Sequence, residues 1–295
     1  AGLNASTTLV LKSNPDKQFG YYVSCKATMN PFASGSVQWT DFLVDTIYCE
    51  YIMADYVFWK LGKYEFTWGQ GRLFNPGNFM SESASMYTIQ AAVPTWLSGV
   101  TAWMQFSDSQ FGDSSVPLYE STTYAVKAEV VVWDTYLGIS GRSRPTDGMD
   151  LLFSAKRSIA GVDIHVDCVV NLVGFTTFTG SFLSGFYKQW GDFHLYGEYE
   201  LLDFIVPAHY SGLALGYNNL GGSSIDPVLK WMHCWSDGSG TLNAGIKWDI
   251  INHVKLEAGI SLVYGSDTSA YVSANENPGG ERLMLAVLVT LSGGF

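Results

Sequence analysis

The chain has 295 residues, of which 47% are hydrophobic, 15% aromatic and only 15% charged, with a formal net charge of −11. A soluble domain usually carries roughly a quarter charged residues, so this deficit beside so many aromatics points to a surface that does not all face water. The acidic balance argues against nucleic-acid binding, which needs a basic face to displace counterions, and no run of about 18 apolar residues is available for a membrane-crossing helix.

The small-residue start AGLNAS suits a chain from which a secretion signal has been removed, and no plug domain is expected ahead of the first strand. Residues 6–31 read as two strands around the turn Asn14, Pro15, Asp16. Ser36 to Met53 and Tyr56 to Lys63 come next, joined by Ala54 and Asp55. Phe66 to Ser85 is the longest stretch of the first half without alternation.

Hairpins then become regular. Tyr87–Val93 and Leu97–Ser107 flank Pro94 to Trp96, and Thr122–Val132 and Thr135–Arg142 flank Trp133 and Asp134. Met149–Ser158 and Val162–Val173 flank Ala160 and Gly161, and Ser181–Lys188 and Phe193–Leu202 flank Gln189 to Asp192. His209–Tyr217 and Val228–Trp235 are separated by the loose tract YNNLGGSSIDP, and Leu242–Ile250 and Val254–Tyr264 flank Ile251 to His253. A polar loop leads to the last strand.

Val162, Ile164, Val166, Cys168, Val170 and Leu172 form one apolar row, opposed by Asp163, His165, Asp167, Val169 and Asn171. Leu195, Tyr199 and Leu201 likewise oppose His194, Tyr196, Glu198 and Glu200, and Ile246 and Trp248 oppose Lys247 and Asp249. A period of two is a strand pattern, because a helix would scatter these charges around its circumference. Strands of ten or more residues, aromatics at the tight turns (Trp96, Trp133, Trp190) and no helix to cover a sheet edge favour closure with lipid outside. The fold expected is an all-β, closed antiparallel transmembrane barrel formed by residues 1–295 as one domain. It should have about 16 strands, with 14 to 18 admissible.

The chain closes on ERLMLAVLVTLSGGF, where Leu283, Leu285, Val287, Val289 and Leu291 alternate with a mixed row before Phe295. This resembles the C-terminal signature of bacterial outer-membrane β-barrels, although Gly293 stands where that group often has an aromatic. The tract FTWGQGRLFNPGNFM resembles the tryptophan-glycine loops of some porin-like barrels and the inward constriction loop of general porins. It either folds into the lumen or stands outside as a glycine-rich turn, and long apolar loops more commonly fold inward. If inward, Glu65, Arg72, Asn75 and Asn78 would shape the narrowest point, with Gly69, Gly71 and Gly77 permitting backbone closed to other residues.

The expected lumen residues are Lys127, Glu129, Asp163, His165, Asp167, His194, Glu198, Glu200, Lys247 and Asp249. Lys127 with Glu129, Lys247 with Asp249 and Lys255 with Glu257 sit two apart, on one face, where opposite charges partly neutralise. His165 and His194 are too isolated for a metal motif, and Cys25, Cys49, Cys168 and Cys234 form no C-x-x-C pair, so no metal or cofactor is expected. No G-x-S-x-G elbow occurs and His209 with Ser211 lacks an orienting partner, so the chain does not read as an enzyme. The expected function is a porin-like outer-membrane channel of a diderm bacterium for ions and small hydrophilic solutes, mildly cation-preferring. Its partners would be membrane lipid and those solutes, and the porin resemblance implies a possible homotrimer. Two alternatives stand beside it: a structural or adhesive barrel with a blocked lumen, working through loops Asp108–Leu118 and Gly265–Gly280, and a soluble glycan-binding β-protein.

Overall fold

The computed structural model describes residues 5–30, 38–78, 86–96, 98–107, 117–145, 147–251, 254–274 and 282–291. Among them are seventeen strands: β1 (Ala5–Ser13), β2 (Phe19–Asn30), β3 (Gln38–Met53), β4 (Val57–Lys63), β5 (Met86–Pro94), β6 (Ser98–Ser107), β7 (Thr123–Val132), β8 (Thr135–Arg144), β9 (Gly148–Ile159), β10 (Val162–Val173), β11 (Thr177–Trp190), β12 (Phe193–Leu202), β13 (Ala208–Tyr217), β14 (Ile225–Cys234), β15 (Ser239–Ile251), β16 (Val254–Tyr264) and β17 (Leu283–Leu291). Two short helices, α1 (Leu118–Ser121) and α2 (Ala270–Ser273), interrupt the connections. Each strand pairs antiparallel with the next, from β1–β2 through to β16–β17. A β1–β17 ladder is not found among the described residues. The loop after β4 nevertheless hydrogen-bonds to side chains of β10 and β12 and packs on β13, which only a sheet rolled into a barrel permits.

The rims differ. Tight turns after odd-numbered strands share one rim, and the connections 64–85, 108–122 and 265–282 leave from the other. At Ala54–Asp55, Trp133–Asp134 and Ala160–Gly161 both central residues have positive φ, between 47° and 71°. That matches the two-residue hairpin turn whose twist continues into the flanking strands. Trp133 projects from its turn 87% exposed, and Trp96, in the β5–β6 connection on the same rim, is 90% exposed.

Three strands, β11, β14 and β15, begin three or more residues earlier than the sequence expectation, β15 at Ser239 rather than Leu242. β11 runs from Thr177, earlier than the expected Ser181, because Thr177 pairs with Val173 and the ladder continues without a break. β14 starts at Ile225 rather than Val228, and a 3-10 turn at Leu220–Gly222 organises part of the tract expected to be loose. Pro227 hides that start in the sequence because it has no N–H to donate, yet it remains aligned with Ile246.

Burial fixes which face is which. On β10 Ile164 is 41% exposed, whereas its neighbours His165 and Asp167 are 4% and 0% exposed. Leu285 and Val287 of β17 are exposed on the same outer surface, while Phe295 and the aromatic terminus lie outside the described residues. The aliphatic rows therefore face outward and the charged rows inward, the inversion of a water-soluble sheet that a lipid-facing barrel requires. The buried apolar core lies inside the cylinder: Trp68 of the β4–β5 loop packs with Trp103, Ala125, Leu152 and Val169 of the wall, and Phe66 covers the group.

Candidate functional site

Residues 64–78 enter the barrel and are tied to its far wall by main-chain donors meeting buried carboxylates. Glu198 of β12 accepts the N–H groups of Arg72, Leu73 and Phe74, each at 2.8 Å. The same carboxylate meets the Tyr196 hydroxyl and, at 3.1 Å, His165 Nε2. Asp167 of β10 accepts the N–H of Gln70 at 2.5 Å. Loop N–H groups withdrawn from water need acceptors, and ionised carboxylates are the strongest available. Asn78 Oδ1 turns back to the N–H of Trp68 at 3.0 Å, closing the loop on itself.

Small residues set the close approaches. A Cβ at Gly185 would collide with His165 and Glu198, so this glycine makes room for the pair to meet. Among the described residues of the loop only Gly69 has positive φ, 82°. Gly71 and Gly77 are there for space rather than for special backbone, since a Cβ would strike the Phe74 carbonyl and Leu183 at the first and Leu152 at the second.

Arg72 anchors through its backbone and leaves its side chain in the lumen. Its guanidinium lies 5.1 Å and 5.2 Å from the ring centroids of Tyr187 and Tyr196, within cation–π range. With Gly69, Gln70, Gly71, Lys156, Asp163 and His165 these groups line a cavity of about 230 Å³. Lys156 is 4.0 Å from Asp163. Of the other loop residues expected at the narrowing, Asn75 is half-buried with its Oδ1 unpaired, and Glu65 is exposed and takes no part in these contacts.

Among the expected wall residues, Asp163, His165, Asp167, Glu198 and Glu200 gather around the loop on β10 and β12, and His194 lies on the same inward row against Gly216. Lys127 and Glu129 of β7 do pair within the strand, at 2.6 Å, and the Tyr136 hydroxyl donates to Glu129 at 3.1 Å. Lys247 and Asp249 do not pair with each other. Lys247 meets Glu257 and Lys255 meets Asp249, each at 3.6 Å across β15–β16. Directly opposed residues of an antiparallel pair stand closer than residues two apart along one strand, so the cross-strand partner wins.

Several participants escaped the sequence reading. Tyr187 and Tyr196 cradle Arg72, Leu183 supports the loop, and Arg142 of β8 pairs with Asp150 of β9 at 2.5 Å. Their inward parity was readable, but aromatic and aliphatic residues on a strand carry no mark of which loop will cover them. The β16–β17 connection also turns inward in part. The N–H of Ala270 in α2 donates to Asp237 Oδ2 at 2.6 Å, and the Tyr271 ring meets Tyr210 of β13 edge-on at 6.2 Å.

No family model matches the sequence and no curated protein matches it. Solved structures do share its fold. OpdK of Pseudomonas aeruginosa, an outer-membrane protein, is 9% identical with a TM-score of 0.62, over 90% of this chain and 88% of that one. OccK2 (OpdF) of the same organism, solved in complex with glucuronate, is 9% identical with a TM-score of 0.64, over 89% and 86%. A variant of the Rh. blastica porin is 10% identical with a TM-score of 0.55, over 88% and 90%. At such low identity these likenesses speak to architecture: the chain has the fold of the porin-like outer-membrane β-barrels.

Proposed function

We propose that the chain forms a passive channel in the outer membrane of a diderm bacterium, admitting ions and small hydrophilic solutes through a lumen that residues 64–78 narrow. The whole of it, on this reading, is one barrel domain. The observation that carries the reading is how the interior is divided. The loop fills the side toward β6–β13, while inward charges on β15–β16 stay in water, with Lys247 and Asp249 side chains 64% and 60% exposed. Charged rows bathed by water inside an apolar-faced cylinder are what a conducting lumen needs.

Charge preference is proposed as mild and cationic, from the acidic excess of 27 carboxylates over 16 basic residues. Arg72 opposes it at the narrowing, because Glu198 and Asp167 are already engaged by loop N–H groups. Insertion of the refolded protein into planar bilayers under a salt gradient tests both statements: stepwise conductance is expected, with a reversal potential of cationic sign. A homotrimer, implied by the porin resemblance, is expected from the mass of the protein in mild detergent.

A second reading, a barrel with a blocked lumen, draws on the apolar cluster of Trp68, Trp103, Ala125, Leu152 and Val169, which shuts water out of part of the interior. It requires that the inserted protein pass no current.

A further inference from the structure

One side of the interior carries an aromatic row extending well beyond the contacts that anchor the loop. Tyr22 of β2 stacks on Tyr48 of β3, centroids 5.2 Å apart and planes at 11°. Tyr48 meets Tyr64 edge-on at 5.7 Å, Tyr64 leads to Phe66 at 5.8 Å, and Phe66 stacks on Trp103 at 5.6 Å. Lys60 stands over this row, its Nζ 3.7 Å from the Tyr48 centroid, 4.5 Å from that of Tyr64 and 3.2 Å from the Glu50 carboxylate. The Tyr64 hydroxyl donates to Gln90 Oε1 at 2.9 Å.

Register places these groups in tiers. Glu50, Lys60 and Gln90 are directly opposed across β3, β4 and β5, and Phe58 lies two residues nearer the tight-turn rim on the same inward row. The Tyr22–Tyr48 pair lies two residues the other way. The polar tier is thus bracketed by aromatic rings, each about 7 Å along the strand. Glu50, Lys60, Gln90 and Phe58 border a cavity of about 450 Å³ together with the β1–β2 turn, whose Asp16 and Lys17 add one charge of each sign and whose Asp16 carboxylate is engaged by the N–H groups of Gln18 and Phe19. Phe58 is 40% exposed there, an apolar face left in water inside the barrel.

The chemistry selects a ligand. Glu50 only accepts, Lys60 only donates and Gln90 does both, a set matched to hydroxyl groups that themselves do both. A cationic solute finds the faces of Tyr48 and Tyr64 already taken by Lys60, and an anionic one finds the Lys60 ammonium already paired with the Glu50 carboxylate. What remains is a neutral molecule with an apolar C–H face and hydroxyls around its edge. We propose that this tier is a binding site for neutral pyranose sugars at the turn-side mouth of the lumen; the proposal rests on the channel reading.

The test uses the full-length protein in planar bilayers, titrated with sucrose and maltotriose, with glucuronate as the charged comparison. Expected is a saturable drop in current with the neutral sugars, with half-blocking concentrations raised roughly 2- to 10-fold in Phe58→Ala, the size of one aromatic contact. Gln90→Leu should raise them as well. A conducting protein that ignores both sugars, or that is blocked alike in wild type and Phe58→Ala, overturns the proposal and leaves the channel standing. Tighter block by glucuronate than by sucrose also overturns it. If no current passes at all, the channel reading fails, and calorimetric titration of the detergent-solubilised protein with maltotriose decides the site alone: heat that Phe58→Ala weakens supports it, and no heat sinks it.

Discussion

Glu198 of β12 accepts the main-chain N–H of Phe74 at 2.8 Å from 124 residues away in the chain, and this contact turns a surface connection into an internal strap. Together with the bonds from Arg72 and Leu73 it makes one carboxylate the main tether of the loop. Glu198→Ala should release the loop at a cost of about 4.5 kcal/mol, counting three hydrogen bonds to a charged acceptor at roughly 1.5 each. Larger and noisier single-channel currents than wild type are expected. Unchanged currents would show that the loop does not set the narrowest point.

Arg72→Glu reverses the charge that two tyrosine rings hold beside the lumen cavity. Fixed charges in a low-dielectric passage produce potentials of several kT, so cation-over-anion permeability should rise by roughly several-fold. The reversal potential in a salt gradient reads this directly, and a shift toward anions would contradict the placement.

Val166→Arg puts a charge in the outward row of β10, beside the 41% exposed Ile164. At mid-bilayer the cost is roughly 2 to 4 kcal/mol. Urea-dependent folding into lipid vesicles should show that loss, and a fully tolerated arginine would mean the row does not meet lipid.

Asp237, in the turn between β14 and β15, secures α2. The little burial it has pushes its carboxyl up, but the N–H of Ala270, the hydroxyl and N–H of Ser239 and the Cys234 thiol outweigh this and hold it at about 2 against an ordinary 3.8. Because the folded value is the lower one, the anchoring is complete above pH 3.8 and is lost as pH falls through about 2. Exchange protection of the Ala270 amide should therefore fall between those values in wild type. In Asp237→Asn that step should be missing, and a step that persists would assign the titration to another group.

Ala160→Gly addresses the left-handed turns. Ala160 has φ of 51°, a region costing an L-residue roughly 1 to 2 kcal/mol that glycine avoids. A gain of up to about 1 kcal/mol in the same urea titration is expected, reduced by the larger entropy of the unfolded glycine chain.

Alternation along single strands was sufficient to read the barrel, its two faces and nearly every hairpin, because a period of two is local: Asp163, His165 and Asp167 share a face whatever lies opposite. The tract Phe66 to Met80 could be marked as unusual for the same reason. Its destination could not. That Gln70 would meet Asp167 and Phe74 would meet Glu198, or that Lys247 would choose Glu257 over Asp249, depends on strand register and on the curvature of the whole sheet. These are properties of pairings between distant segments, and no stretch of sequence contains them. The tertiary structure therefore decided where the interior is dry, where it is wet, and which charges are left for a solute to meet.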